Sequence, residues 1–235
     1  MHLDRSFKIT SLLFVGLAEL SGTALAHPGS GAQVCTLASP AAGQPGTVIC
    51  KSTLTGATTQ SMPVGNTVVG SGGIGGALSH RGDSVLVTNV AGGAILFDEA
   101  GGRLVHPQHL HTGGEDSLSG AIGPGGAYVV TKTRLLFFPR GRGAATSTAD
   151  LMIGDGSAAQ VTLAGGYAYV SEKSGSLEAF ALGYDGGLAG KATAVDGIPA
   201  GTIVGITGLE DLVVSPVAHL ASNANQAAVP VTSGE

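Results

Sequence analysis

Residues 105–117 read VHPQHLHTGGEDS, which puts His106, His109 and His111 within six positions and the acids Glu115 and Asp116 just after them. Imidazoles and carboxylates are the usual ligands of zinc and copper, and a carboxylate can also serve as a general base. On a strand, residues two apart share a face, so His109 and His111 form a candidate metal pair. His27, at an expected mature N-terminus, would add an amine and an imidazole for copper. A specific site needs three or four converging ligands, so the chemistry of this stretch depends on the elements that carry it.

Composition narrows those elements. The chain has 235 residues, of which 43% are apolar and 11% charged, with a net charge of -5. That suffices for a sizeable core and is too little charge for a disordered chain. The mild acidity, without a basic stripe, argues against nucleic acid as a partner and gives no attraction to an anionic membrane. The N-terminus has the order of a secretory signal peptide: Arg5 and Lys8, the apolar run ITSLLFVGLAEL, then Ala24 and Ala26 as a small-x-small cleavage site. The run is shorter than the roughly 20 residues that span a bilayer. The expected organisation is therefore a signal peptide over residues 1–26 and one domain over 27–235, secreted or periplasmic, with no membrane span. Export permits disulfides, and Cys35 and Cys50 are the only cysteines, so they are expected to pair.

After the leader the chain reads as short strands. SVLVTNV, AYVVTK, YAYVSEK and DLVVSPV are β-branched and apolar, bounded by glycine turns, and no sustained helical period is present. With the hydroxyl residues Thr88, Thr131, Ser171 and Ser215 as anchors, the spacings are 43, 40 and 44. A small-residue strand and a turn precede each anchor strand, and a second apolar strand follows most of them. AQVCTLAS, GTVICKSTLTG and TTQSMPVG form an earlier, diverged copy. About five units of four strands and roughly 42 residues predict an all-β chain with the period of propeller blades. In this scheme the innermost strands take Gly, Ala and Ser, and the outer ones take Phe, Leu and Tyr.

The stretches ALSHRGDSVLVTNVAGGAILFDEAGGRL, YAYVSEKSGSLEAFALGYDGGL and GIPAGTIVGITGLEDLVVSPVA carry a resemblance to the lactonase-type β-propellers, the 6-phosphogluconolactonase-like family, particularly its secreted bacterial members. The resemblance covers about residues 33 to 220. It implies a β-propeller of four-stranded antiparallel blades. Seven units, the family's usual number, would need about 290 residues, so a partial ring, a five-bladed one, or closure by a second chain is expected here. An incomplete ring would expose sheet faces and favour self-association.

The repeat register then relocates the site. RLVHPQHLH becomes an outermost strand, where His109 and His111 face solvent; no metal or other cofactor is expected, and this pair is the weaker alternative. TGGEDS becomes the crossing to the next innermost strand, and such crossings reach the mouth of the channel. Glu115 and Asp116 are the candidate bases of a lactone hydrolase, with Ser117, Asp155, Gln160 and Thr202 as polar binding residues from this and the other crossings. The competing role for these side chains is the capping of turns. Arg134, Arg140 and Arg142 lie on or beside a third strand, on a solvated face. GSGGIG at 70–75 precedes a strand rather than a helix, so it is read as a glycine-rich crossing rather than a dinucleotide loop. Arg81-Gly82-Asp83 falls in a hairpin turn, and no GxSxG elbow exists. The expected function is a secreted binding or scaffold propeller for an unknown small molecule or protein, with a lactonase-like hydrolase of a small cyclic ester as the alternative.

Overall fold

The computed structural model describes residues 24–27, 30–39, 43–68, 77–153, 158–173 and 175–196. They form sixteen strands and, among the described residues, no helix. The strands make four antiparallel sheets of four. The first holds β1 (Ala24–His27), β2 (Ser30–Ala38), β3 (Pro45–Ser52) and β4 (Thr58–Asn66). The second holds β5 (Leu78–Arg81), β6 (Ser84–Val90), β7 (Gly93–Ala100) and β8 (Arg103–His111). The third holds β9 (Ser119–Ile122), β10 (Gly126–Val130), β11 (Arg134–Pro139) and β12 (Ser147–Asp150), and the fourth β13 (Ala158–Ala164), β14 (Tyr167–Glu172), β15 (Leu177–Ala181) and β16 (Thr193–Ala194). Each sheet is built from strands in chain order, so every pairing is a local hairpin. β1 spans the expected cleavage point after Ala26 and pairs with β2 through Ala24–Val34 and Leu25–Gln33.

The sheets stack in chain order, and the two-residue period of a strand explains how one sheet packs on both sides. Val85 and Val87 of β6 face the first sheet, where they meet Cys35, Val48, Cys50 and Val64. Leu86, between them, faces the third sheet with Leu96 and Leu110, opposite Ile122, Val129, Leu136 and Phe138. In β10 and β11 the neighbours of those residues, Tyr128, Val130, Leu135 and Phe137, face the fourth sheet and pack on Val161, Leu163, Val170 and Phe180. Both faces of the central sheets are thus covered, and β6 and β10 are buried along their whole length. An unbroken apolar run such as Val85-Leu86-Val87 is the sequence form of that two-sided burial.

β9 lies against β5 and β6 on one side and against β13 on the other. This crowding sets the composition of β9. A Cβ on Gly120 would lie 2.6 Å from the Tyr128 carbonyl oxygen and 2.7 Å from Leu86 Cδ2, so only glycine fits there. The Cys35–Cys50 disulfide forms as expected, between directly opposed residues of β2 and β3, with both cysteines buried in the first inter-sheet core.

The structure shifts the repeat register by one residue in the third sheet. Val85, Ala127 and Ala168 each face the preceding sheet from the second position of the second strand, which gives spacings of 42 and 41. The position equivalent to Thr88 and Ser171 is therefore Val130, not Thr131. Thr131 has left the ladder and opens the β10–β11 turn, where its N–H donates to the Arg134 carbonyl at 2.8 Å.

Candidate crossing site

Residues 112–118 leave β8, an edge strand of the second sheet, and enter β9, the first strand of the third. Gly113 and Gly114 adopt φ of 77° and 91°, which lets the chain reverse without strain. Thr112 Oγ1 donates to the Glu115 carbonyl oxygen and closes the turn. The next three side chains, the two candidate bases and the first candidate binding residue, then diverge.

Glu115 points to the β10–β11 turn of the third sheet. Thr133 Oγ1 lies 2.9 Å from Oε1 and 3.0 Å from Oε2, and the Thr133 N–H donates to Oε2 at 3.3 Å. Arg134 donates to Oε1 from Nε at 3.1 Å and from Nη2 at 2.8 Å, and Nη2 also reaches the Thr112 carbonyl at 3.3 Å. Asp116 points the other way, to the β6–β7 turn of the second sheet, where its Oδ1 accepts the Gly92 N–H at 3.0 Å. Ser117 is fully buried; its Oγ accepts the Val90 N–H at 3.1 Å and donates to the Val90 carbonyl at 3.2 Å. Three consecutive residues thus hold a hairpin of the third sheet and a hairpin of the second.

The electrostatics of Glu115 follow from this. Burial pushes its pKa up, but hydrogen bonds from Thr131, Thr133 and Arg134, together with the Arg134 charge, outweigh burial and hold the carboxyl below its ordinary value of 4.5. Such a group is a stable anion with both oxygens engaged, and a weak proton acceptor at neutral pH.

The other expected residues lie elsewhere. Gln160 sits on β13, paired across the ladder with Ser171, on the face of the fourth sheet turned away from the third. Asp155 and Thr202 lie outside the described residues, as does the glycine-rich segment 70–75. His109 and His111 are exposed on β8, with the buried Leu110 between them, and the His111 N–H donates to the Gly143 carbonyl. His106 is exposed, with its Nδ1 3.2 Å from Asp98 Oδ2. Among the described residues no three His, Cys, Asp or Glu side chains converge to hold a metal ion. Arg81-Gly82-Asp83 is the β5–β6 turn, Gly82 has a φ of 59°, and Asp83 pairs with Arg140 at 3.6 Å.

Sequence reasoning placed Arg134 on a solvated face; it is instead the counter-ion of Glu115. It also missed two residues that join sheets. Gln60 of β4 accepts the Leu104 N–H at 2.9 Å and donates to the Leu104 carbonyl at 2.7 Å, so one side-chain amide imitates a ladder pair between the first and second sheets. Glu178 of β15, 1% exposed, accepts the Met152 N–H at 2.9 Å and the Ile153 N–H at 3.2 Å on the crossing from the third sheet. A lone acid in the apolar run SLEAFAL was the available signal, since a carboxylate is buried only where donors meet it.

No protein-family model matches the chain, and no curated protein matches it. Among solved structures it is similar to the hydrazine synthase of Kuenenia stuttgartiensis, at 13% identity and a TM-score of 0.45, over 63% of this chain and 43% of that one. The match thus spans less than half of that structure's length.

Proposed function

We propose that the four sheets are consecutive blades of a propeller-type stack and that the protein is a secreted binding or scaffold protein. The observation that carries this reading is the use made of Glu115, Asp116 and Ser117. All three are spent on hairpin backbone or on Arg134. A lactone hydrolase would need an acid free to take a proton and a donor held near it for the developing oxyanion. Glu115 is an engaged anion, Asp116 caps a turn, and Gln160 belongs to a different sheet. The buried disulfide fits an oxidising compartment and therefore an exported chain. The resemblance to lactonase-type propellers then describes the architecture and leaves the chemistry out, as folds commonly do.

The test is turnover of a panel of small lactones by the purified protein, with Glu115→Ala and Asp116→Ala beside it. The reading predicts hydrolysis at the background rate for all three. Turnover by the native chain that disappears in a folded Glu115→Ala variant would replace it with the hydrolase.

A further inference from the structure

Two of the three imidazoles in VHPQHLHTGGEDS play no part in holding the crossing. His109 and His111 flank Leu110 on β8, and the three residues alternate. Leu110 is 1% exposed, in the core between the second and third sheets, whereas both histidines are exposed. That alternation puts the two rings on one face of the strand, with Cα atoms about 6.7 Å apart. At this spacing the rings can lean together until one nitrogen of each lies about 2 Å from a shared cation. The backbone beneath them is fixed on both sides. His109 pairs with Ile95 and His111 with Gly93 on β7. On the free edge of β8 the His111 N–H donates to the Gly143 carbonyl at 2.9 Å, and His111 forms a parallel bridge with Ala144. Such support lowers the ordering cost of binding. The cross-strand position beside His111 is also clear. A Cβ on Gly93 would lie 2.6 Å from the Leu110 carbonyl oxygen, so glycine stands there and no side chain fills the space. His106 differs from both: it sits in the β8 bulge with a φ of 48°, and its Nδ1 faces Asp98 Oδ2 at 3.2 Å.

We propose that His109 and His111 form a two-imidazole chelate for a divalent cation of the copper(II) class, with water or a small exogenous ligand completing the coordination shell. The donor set selects the metal. A structural zinc site needs four converging ligands, and among the described residues no third His, Cys, Asp or Glu side chain joins this pair. Copper(II) stands at the top of the affinity order of divalent first-row ions for nitrogen donors, and its tetragonal shell takes water at the positions the protein leaves open. Magnesium and calcium prefer oxygen ligands and have none to bind here. The inference needs β8 and its two neighbours alone, so it stands whether the protein is a scaffold or a hydrolase.

The test titrates copper(II) into the full chain, purified without a histidine tag, beside His109→Ala, His111→Ala and His106→Ala. All three replaced side chains are exposed, so the variants keep the fold. The proposal predicts that His109→Ala and His111→Ala each weaken the site at least about tenfold, while His106→Ala stays within about twofold of the native chain. Excess magnesium should not compete. An equal loss at His106, or tight binding that survives both other replacements, would place the metal elsewhere and overturn the proposal. A native dissociation constant above about 100 µM would overturn it as well. Paramagnetic broadening in the unsubstituted chain gives an answer that does not depend on the variants. Ring protons of His109 and His111 that broaden first as copper(II) is added support the chelate. Broadening that begins at another histidine excludes it.

Discussion

The crossing from the second to the third sheet and the crossing from the third to the fourth solve the same problem from opposite sides. In the first, the crossing supplies the acid: Glu115 reaches out of residues 112–118 to Thr133 and Arg134 on the hairpin it passes. In the second, the sheet supplies it: Glu178 reaches from β15 to the N–H groups of Met152 and Ile153 on the crossing. A chain leaving an edge strand carries N–H groups with no ladder partner, and a hairpin turn has the same need. A carboxylate answers either need, since one anion accepts several donors. The difference lies in burial. Glu178 is almost fully enclosed, whereas the side chain of Glu115 keeps 27% of its exposure. An acid at a crossing is therefore expected from backbone bookkeeping alone, and its presence there is no sign of catalysis.

Substitutions rank the two crossings. Glu178→Ala should have the largest effect, a loss of about 3 kcal/mol in denaturant unfolding, because two charge-assisted bonds go and a gap opens where the enclosed side chain stood. Glu115→Ala should cost less, about 1–2 kcal/mol, because water can reach both Arg134 and the turn. A larger loss at Glu115 than at Glu178 would reverse the comparison. Asp116→Ala, at an exposed residue with one bond to Gly92, should cost about 0.5 kcal/mol by the same measurement. A cost as large as that at Glu115 would mean that Asp116 carries more of the crossing than its single bond indicates.

Much of the stack was legible in the sequence because its signals are physical. Two-sided burial makes the VLV of β6 and the LLFF of β11 continuous apolar runs, and crowding makes SGAI small. The disulfide followed from the presence of just two cysteines in an expected export context. The register failed at Thr131, because a threonine that opens a turn looks the same in sequence as one that ends a strand. The crossing at 112–118 was found correctly as a location, but what its acids touch was not legible. Glu115 and Arg134 are 19 positions apart, and their meeting depends on how far the β10–β11 hairpin reaches back over the crossing. Gln60 and Leu104, 44 apart, pair across two sheets for the same reason.

The central claim is that Glu115 is a structural anion. Its folded pKa is depressed, so its contribution to stability is present above pH 4.5 and is lost as the pH falls through the folded value. The direct measurement is the unfolding free energy of the native chain minus that of Glu115→Gln, followed from pH 7 to pH 3. The account predicts a positive difference at pH 7 that holds down to about pH 5 and shrinks below it. A difference near zero at pH 7, or one that grows as the pH falls, would contradict it.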